Sequence, residues 1–180
     1  MQVSVVASGS WRPPGAPPPA PGAPPLGYGG NVVVRNLTCQ YSHGLSIGSV
    51  TQGVVTNVTF EDSQLIRSDY GARVKAHANG SGLVSGILYR NISVEDVIWP
   101  LLVEGFYGEG SQGESAVQLA NLTFESVTGS AFTGAEFHCD KVRATLAFGR
   151  SVYATVYMYA ANVGLARCAR ARGLRCVTSR

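Results

Sequence analysis

Charge is scarce in this sequence, and acid is scarcer still. Only 14 % of the 180 residues are Asp, Glu, Lys or Arg, and residues 1–42 contain no Asp or Glu. The net charge of +3 is too small to argue for a nucleic-acid partner. Much of it sits at the C-terminal end, in Arg167, Arg170, Arg172, Arg175 and Arg180, which reads as a solvated basic tail. No apolar run is long enough to cross a membrane, and the first ten residues lack the basic and apolar regions of a signal peptide. Helical periodicity is missing outside the last thirty residues, and no Cys/His spacing suggests structural zinc. Aspartates do not cluster as a calcium-dependent lyase would require. There are four cysteines. Cys168 and Cys176 are close enough to clip a terminal loop as a disulfide, whereas Cys39 and Cys139 lie far apart.

An apolar content of 45 % with so little charge describes a folded domain with a sizeable core. Eight of the nine prolines fall within residues 12–30, "RPPGAPPPAPGAPPLGYGG", a segment that can form neither helix nor central strand. Beyond it the chain becomes quasi-periodic. "VVVRNLTC", "VVTNVTFEDS", "ILYRNISVEDV" and "VQLANLTFESV" each join β-branched residues to an Asn-[hydrophobic]-[Ser/Thr] step, with the asparagines at 36, 57, 91 and 121. A second short strand follows each: "LSIGS", "ARVKA", "LLVEGF" and "TGAEFHC". Short paired strands recurring every 20 to 35 residues mark a parallel β-solenoid, with a β-sandwich as the competing architecture.

Five of seven asparagines open N-x-[Ser/Thr] sequences: Asn36, Asn57, Asn79, Asn91 and Asn121. With Ser and Thr at 27 of 180 residues, chance supplies about one such sequence. Two explanations stay open: a secreted, N-glycosylated chain, or a repeat that reuses Asn-x-Thr for structural reasons.

Stacking the solenoid turns aligns Gly44, Gly71 and Pro100 as strand starts. Leu45, Ile47, Ala72, Val74, Leu101 and Val103 then point inward, and Ser46, Gly48, Arg73, Lys75, Leu102 and Glu104 point outward. His43 escapes the alternation because Gly44, free to adopt unusual backbone angles, stands between it and the strand. The register brings His43, Arg73 and Lys75 together. It also sets Glu104 beside Lys75, where a plain surface ion pair is the structural alternative. Asp62, Asp69 and Asp96 read as turn residues.

"SHGLSIGS", then "GARVK" thirty residues after the histidine, then "VEGFY" ending at Tyr107, resembles the C-terminal half of a polygalacturonase-type glycoside hydrolase. "NVVVRNLTC" and "NVTFEDS" also fit that family, and the resemblance covers roughly residues 31–140. It implies an all-β, right-handed parallel β-helix acting on the galacturonic-acid polymers of pectin. It also implies an inverting mechanism, in which one carboxylic acid protonates the leaving oxygen while carboxylates activate water on the far side. Within it His43 would be catalytic, and Arg73, Lys75 and Tyr107 would bind substrate: a planar fork and a point charge for carboxylates, a hydroxyl and ring face for sugar. Ser42 before His-Gly resembles exo-acting fungal members.

The family's Asn-Thr-Asp and Asp-Asp motifs lie upstream of the histidine, and the resemblance implies that this chain begins after them, as an N-terminally truncated solenoid. The expected organisation is a remnant strand and Pro/Gly-rich loop over 1–30, site-bearing turns over 31–140, and a last turn with the Arg-rich tail over 141–180. The expected partner is acidic polysaccharide, met by a secreted monomer at the cell wall without a cofactor, nucleic acid or membrane. A non-catalytic solenoid that only binds acidic polysaccharide is the alternative.

Overall fold

The computed structural model describes residues 3–5, 27–108, 116–138, 146–148 and 156–159. Among them there is no helix. The strands are β1 (Val3–Val5), β2 (Tyr28–Arg35), β3 (Thr38–Gln40), β4 (Leu45–Ile66), β5 (Tyr70–Val97), β6 (Trp99–Tyr107), β7 (Ala116–Ala131), β8 (Ala135–His138), β9 (Leu146–Phe148) and β10 (Val156–Tyr159). Every pairing is parallel, and the curled sheet they form is a parallel β-helix.

β4 and β5 are far longer than an ordinary strand, at 22 and 28 residues, because each runs around most of a turn and bends at left-handed residues. One corner stacks Asn31, Asn57, Gly86 and Asn121; a second, five residues on, stacks Asn36, Asp62, Asn91 and Ser126, and all eight have φ between 51° and 64°. Asn and Asp tolerate this region because a short polar side chain can bond locally, where β-branched residues cannot. The side chains also bond along the columns: Asn57 Nδ2 donates to Asn31 Oδ1 (2.8 Å) and Asn91 Nδ2 to Asp62 Oδ1 (2.7 Å).

These columns correct the sequence alignment of the four motifs. Asn57 and Asn121 belong to one corner and Asn36 and Asn91 to the other, so turns advance by 26, 29 and 35 residues rather than by the intervals between the motifs. A fold with two similar corners per turn gives the same tripeptide two places to fall.

The interior follows the expected alternation. Leu45, Ile47, Ala72, Val74 and Val103 are wholly buried and Leu101 nearly so, in the register Leu45–Ala72–Leu101. On the opposite wall Phe60, Tyr89 and Phe124 stack with centroids 4.9 and 5.3 Å apart. The Tyr89 hydroxyl lies 2.9 Å from the Arg73 carbonyl and 3.2 Å from that of Leu45, which ties this aromatic column to the backbone carrying the candidate site. Burying these rings removes a large apolar area from water, and the hydroxyl avoids an unpaired buried donor.

Candidate functional site

Gly44, Gly71 and Pro100 do begin equivalent strand segments. Gly44 has φ +80°, and a Cβ there would run into the Tyr70 carbonyl oxygen, so only glycine fits between His43 and β4. The turn beneath His43 is fixed by serines: Ser42 and Ser68 hydroxyls pair at 2.9 Å, Ser68 Oγ accepts from the Ser42 amide, and Ser42 Oγ accepts from the Gly44 amide. Ser42 is buried and occupied with backbone.

The outer face of β4–β6 holds a column of Ser46, Arg73 and Leu102 and a second of Lys75, Glu104 and, on β8, His138. Pointing outward does not expose these residues. Ser46 has no accessible surface, Arg73 is 8 % exposed and Lys75 6 %. Flanking aromatics do the covering: the Arg73 guanidinium lies 3.9 Å from the Tyr70 ring centroid and 5.2 Å from that of Tyr107, and Lys75 Nζ is 5.1 Å from the latter. Such cation–π contacts strengthen as water is removed. Tyr70 itself stacks on Trp99, and burial pushes its hydroxyl pKa up.

Glu104 stands beside Lys75 in register, yet its carboxylate turns to Arg73. Both Nε and Nη2 of Arg73 donate to Glu104 Oε2, at 2.8 and 2.6 Å. The anticipated Lys75–Glu104 pair is thus replaced, since a guanidinium held between two rings offers two donors where lysine offers one point charge. Lys75 has no hydrogen bond or ion pair among the described residues. Its pKa is pushed below the ordinary lysine range, first by burial and then by the neighbouring Arg73 charge. Ser46 Oγ is the one buried side-chain oxygen without a partner among the described residues, and it lies next to Arg73 in register.

His43 is exposed, and its Nδ1 meets Asp69 Oδ2 within hydrogen-bond reach. Asp69 does more than shape a turn, then. The ladder that puts Gly71 over Gly44 puts Asp69 over Ser42, with the Asp69 amide donating to the Ser42 carbonyl (2.8 Å). That register was available in the sequence; reading it two residues further would have found Asp69 and Tyr70. Tyr107 stands half-buried over Arg73 and Lys75, and its ring also meets His77 edge-on at 6.4 Å. His138 Nε2 pairs with Glu136 at 3.2 Å on the next turn. A shallow pocket of about 320 Å³ opens beyond Asp69, lined by Arg67, Ser68, Asp69, Asp96, Ile98 and Phe132. Arg73, Lys75 and Tyr107 therefore meet on the outer face, while the His43 side chain contacts Asp69 and none of those three among the described residues.

Four sequon asparagines, Asn36, Asn57, Asn91 and Asn121, are exposed at the corners described above, where left-handed backbone gives asparagine a structural use. The Asn79 side chain, Cys168 and Cys176 lie outside the described residues. Cys39 is a free, buried cysteine, and burial raises its thiol pKa.

Residues 26–145 match the model of the glycosyl hydrolases family 28. The chain belongs to that family. It is 35 % identical over 111 residues to Polygalacturonase-2 of Solanum lycopersicum, covering 57 % of this chain and 24 % of that protein. Probable endopolygalacturonase D of Aspergillus flavus is 37 % identical over 117 residues (61 % of this chain, 24 % of the relative), and the Polygalacturonase of Penicillium digitatum 36 % over 112 (58 % and 30 %). The chain thus spans about a quarter of the length of the curated relatives it matches. Membership of this glycoside hydrolase family agrees with the all-β parallel helix.

Proposed function

We propose that the outer face around His43, Arg73, Lys75 and Tyr107 is part of the cleft of a pectin hydrolase acting on polygalacturonate. The observation that carries this reading is Lys75, a buried cation without a carboxylate partner among the described residues. A desolvated charge of this kind is costly unless an anion meets it, and a polymer with a carboxylate on every sugar supplies one. Tyr70 and Tyr107 add ring faces suited to sugar, and the unpaired Ser46 hydroxyl lies beside them in the same face.

In this reading the whole protein cleaves α-1,4-galacturonosyl bonds with inversion: an acid protonates the leaving oxygen while carboxylates activate water on the opposite face. His43, held through Nδ1 by Asp69, presents Nε2 toward the cleaved sugar and supports the acid. The protein acts outside the cell on plant cell-wall pectin as a monomer. Residues 31–140 carry the site-bearing turns in this reading. Glycans on Asn36, Asn57, Asn91 or Asn121 are compatible with corner positions that face solvent, and Asn79 is a fifth candidate from its sequence alone.

A second reading, binding without cleavage, is favoured by one specific feature. The carboxylates nearest the cluster are both engaged, Asp69 with His43 and Glu104 with Arg73. The test is release of new reducing ends from polygalacturonate by wild type, Lys75→Ala and Arg73→Ala. Hydrolysis by wild type with the Michaelis constant raised at least tenfold in both variants is expected. Binding with no new reducing ends leaves only the second reading, and unchanged constants in both variants contradict the site.

A further inference from the structure

If Arg73 is to take a substrate carboxylate through Nε and Nη2, that edge of its guanidinium must be open, and here it is closed. Nε and Nη2 both donate to one oxygen of Glu104, a carboxylate supplied by the chain's own next turn. The pair is unlike a two-oxygen, fork-to-fork arrangement, because Oε2 receives both bonds while Oε1 accepts none from the described residues. Its partners are also unequally held. Arg73 is clamped over the Tyr70 ring at 3.9 Å with its side chain 10 % exposed, whereas the Glu104 side chain is 20 % exposed and, with Lys75 as its neighbour in register, makes no second hydrogen bond or ion pair among the described residues. If the pair opens, Glu104 is the member free to leave.

We propose that Glu104 is an internal stand-in for a substrate carboxylate on Arg73, so that seating a galacturonate on the Nε–Nη2 edge of Arg73 requires Glu104 to be displaced. This rests on the cleft reading above. Arg73 and Lys75 carry two positive charges and Glu104 one negative, which leaves one unit of attraction for an incoming anion. Lys75, unpaired, receives the first carboxylate. The Nε–Nη2 edge is released only to a ligand whose carboxylate can replace that of Glu104, so neutral sugars cannot take that edge, whereas a bare arginine would offer it to their hydroxyls. The self-pairing trades affinity for selectivity, as repulsive or competing groups do at other discriminating sites.

Trigalacturonate binding, measured calorimetrically on the full chain, tests this. Glu104→Gln keeps the shape and removes the competing charge, and it should bind about tenfold more tightly than wild type. Adding Arg73→Ala to Glu104→Gln should abolish the whole gain, because the gain runs through the freed guanidinium. Equal affinity of wild type and Glu104→Gln, with Lys75→Ala weakened, would overturn the stand-in and leave the cleft reading intact. Weaker binding by Glu104→Gln would make Glu104 a direct sugar contact and overturn it as well. If neither protein binds the trimer while both show the β-rich circular dichroism of the folded chain, the two readings fall together. The Arg73 Nε–H resonance gives an answer on wild type without substitution. It should shift on addition of trigalacturonate, and a resonance that stays in place contradicts displacement.

Discussion

Arg35, Glu61, Arg90 and Glu125 share one column of the helix, and Lys75, Glu104 and His138 share another. The first column lies just before the second asparagine corner, alternates in sign from turn to turn, and includes the Arg90–Glu61 ion pair with Arg90 half exposed. In the second, Lys75 is buried beside the Tyr107 ring, and it is left without the neighbouring carboxylate because Arg73 has taken that group. Stacked parallel strands put like positions about 4.8 Å apart, so a column of alternating charge closes on itself and helps to fix register. A column that leaves a buried cation over does nothing for register and costs stability. The first arrangement satisfies the fold; the second, on the reading proposed above, is completed by an anion.

Substitutions separate the two columns most sharply at Arg73. Arg73→Ala should lower stability by about 3 kcal/mol, since it strands Glu104 in a largely buried position. It should also weaken polygalacturonate binding at least tenfold. Arg90→Ala, in the alternating column, should leave both the melting temperature and binding indistinguishable from wild type. Chemical denaturation with a parallel binding assay checks both statements.

Lys75→Met should separate stability from function. Removing a buried, unpaired cation should raise the melting temperature while binding falls at least tenfold. The same variant carries a pH signature. Because the folded-state pKa of Lys75 lies below its unfolded value, the unfolded chain binds more protons between the two, and stability should rise with pH across that window. Lys75→Met should lose this rise, which melting curves from pH 7 to pH 10.5 would show.

Two smaller effects concern the scaffold. Asn57→Ala should cost about 1 kcal/mol because φ at Asn57 is 54°, while Asn57→Gly should cost much less; neither should alter binding. Tyr89→Phe should cost about 1 kcal/mol through its lost bond to the Arg73 carbonyl.

The interior of this fold and the register of its site could be read from the residues, because parallel stacking leaves one alternation to find and Gly44, Gly71 and Pro100 mark where it starts. The corner assignment of the asparagines could not. Two left-handed corners five residues apart accept the same Asn-hydrophobic-Thr tripeptide, and unequal turns of 26, 29 and 35 residues hide which is which. Register likewise placed Glu104 beside Lys75 but could not foretell that its side chain would reach diagonally to Arg73. That choice depends on Tyr70 and Tyr107 holding the guanidinium in place. The role of Asp69 was hidden for a different reason: an acid before a glycine reads locally as a turn, while its contact with His43 runs between turns.

If Lys75 is a buried cation that takes a substrate carboxylate, the melting temperatures of wild type and Lys75→Met, with and without saturating trigalacturonate, will show it. The sugar acid should raise the wild-type melting temperature and leave that of Lys75→Met unchanged. An equal rise in both proteins would place the carboxylate elsewhere and contradict this role for Lys75.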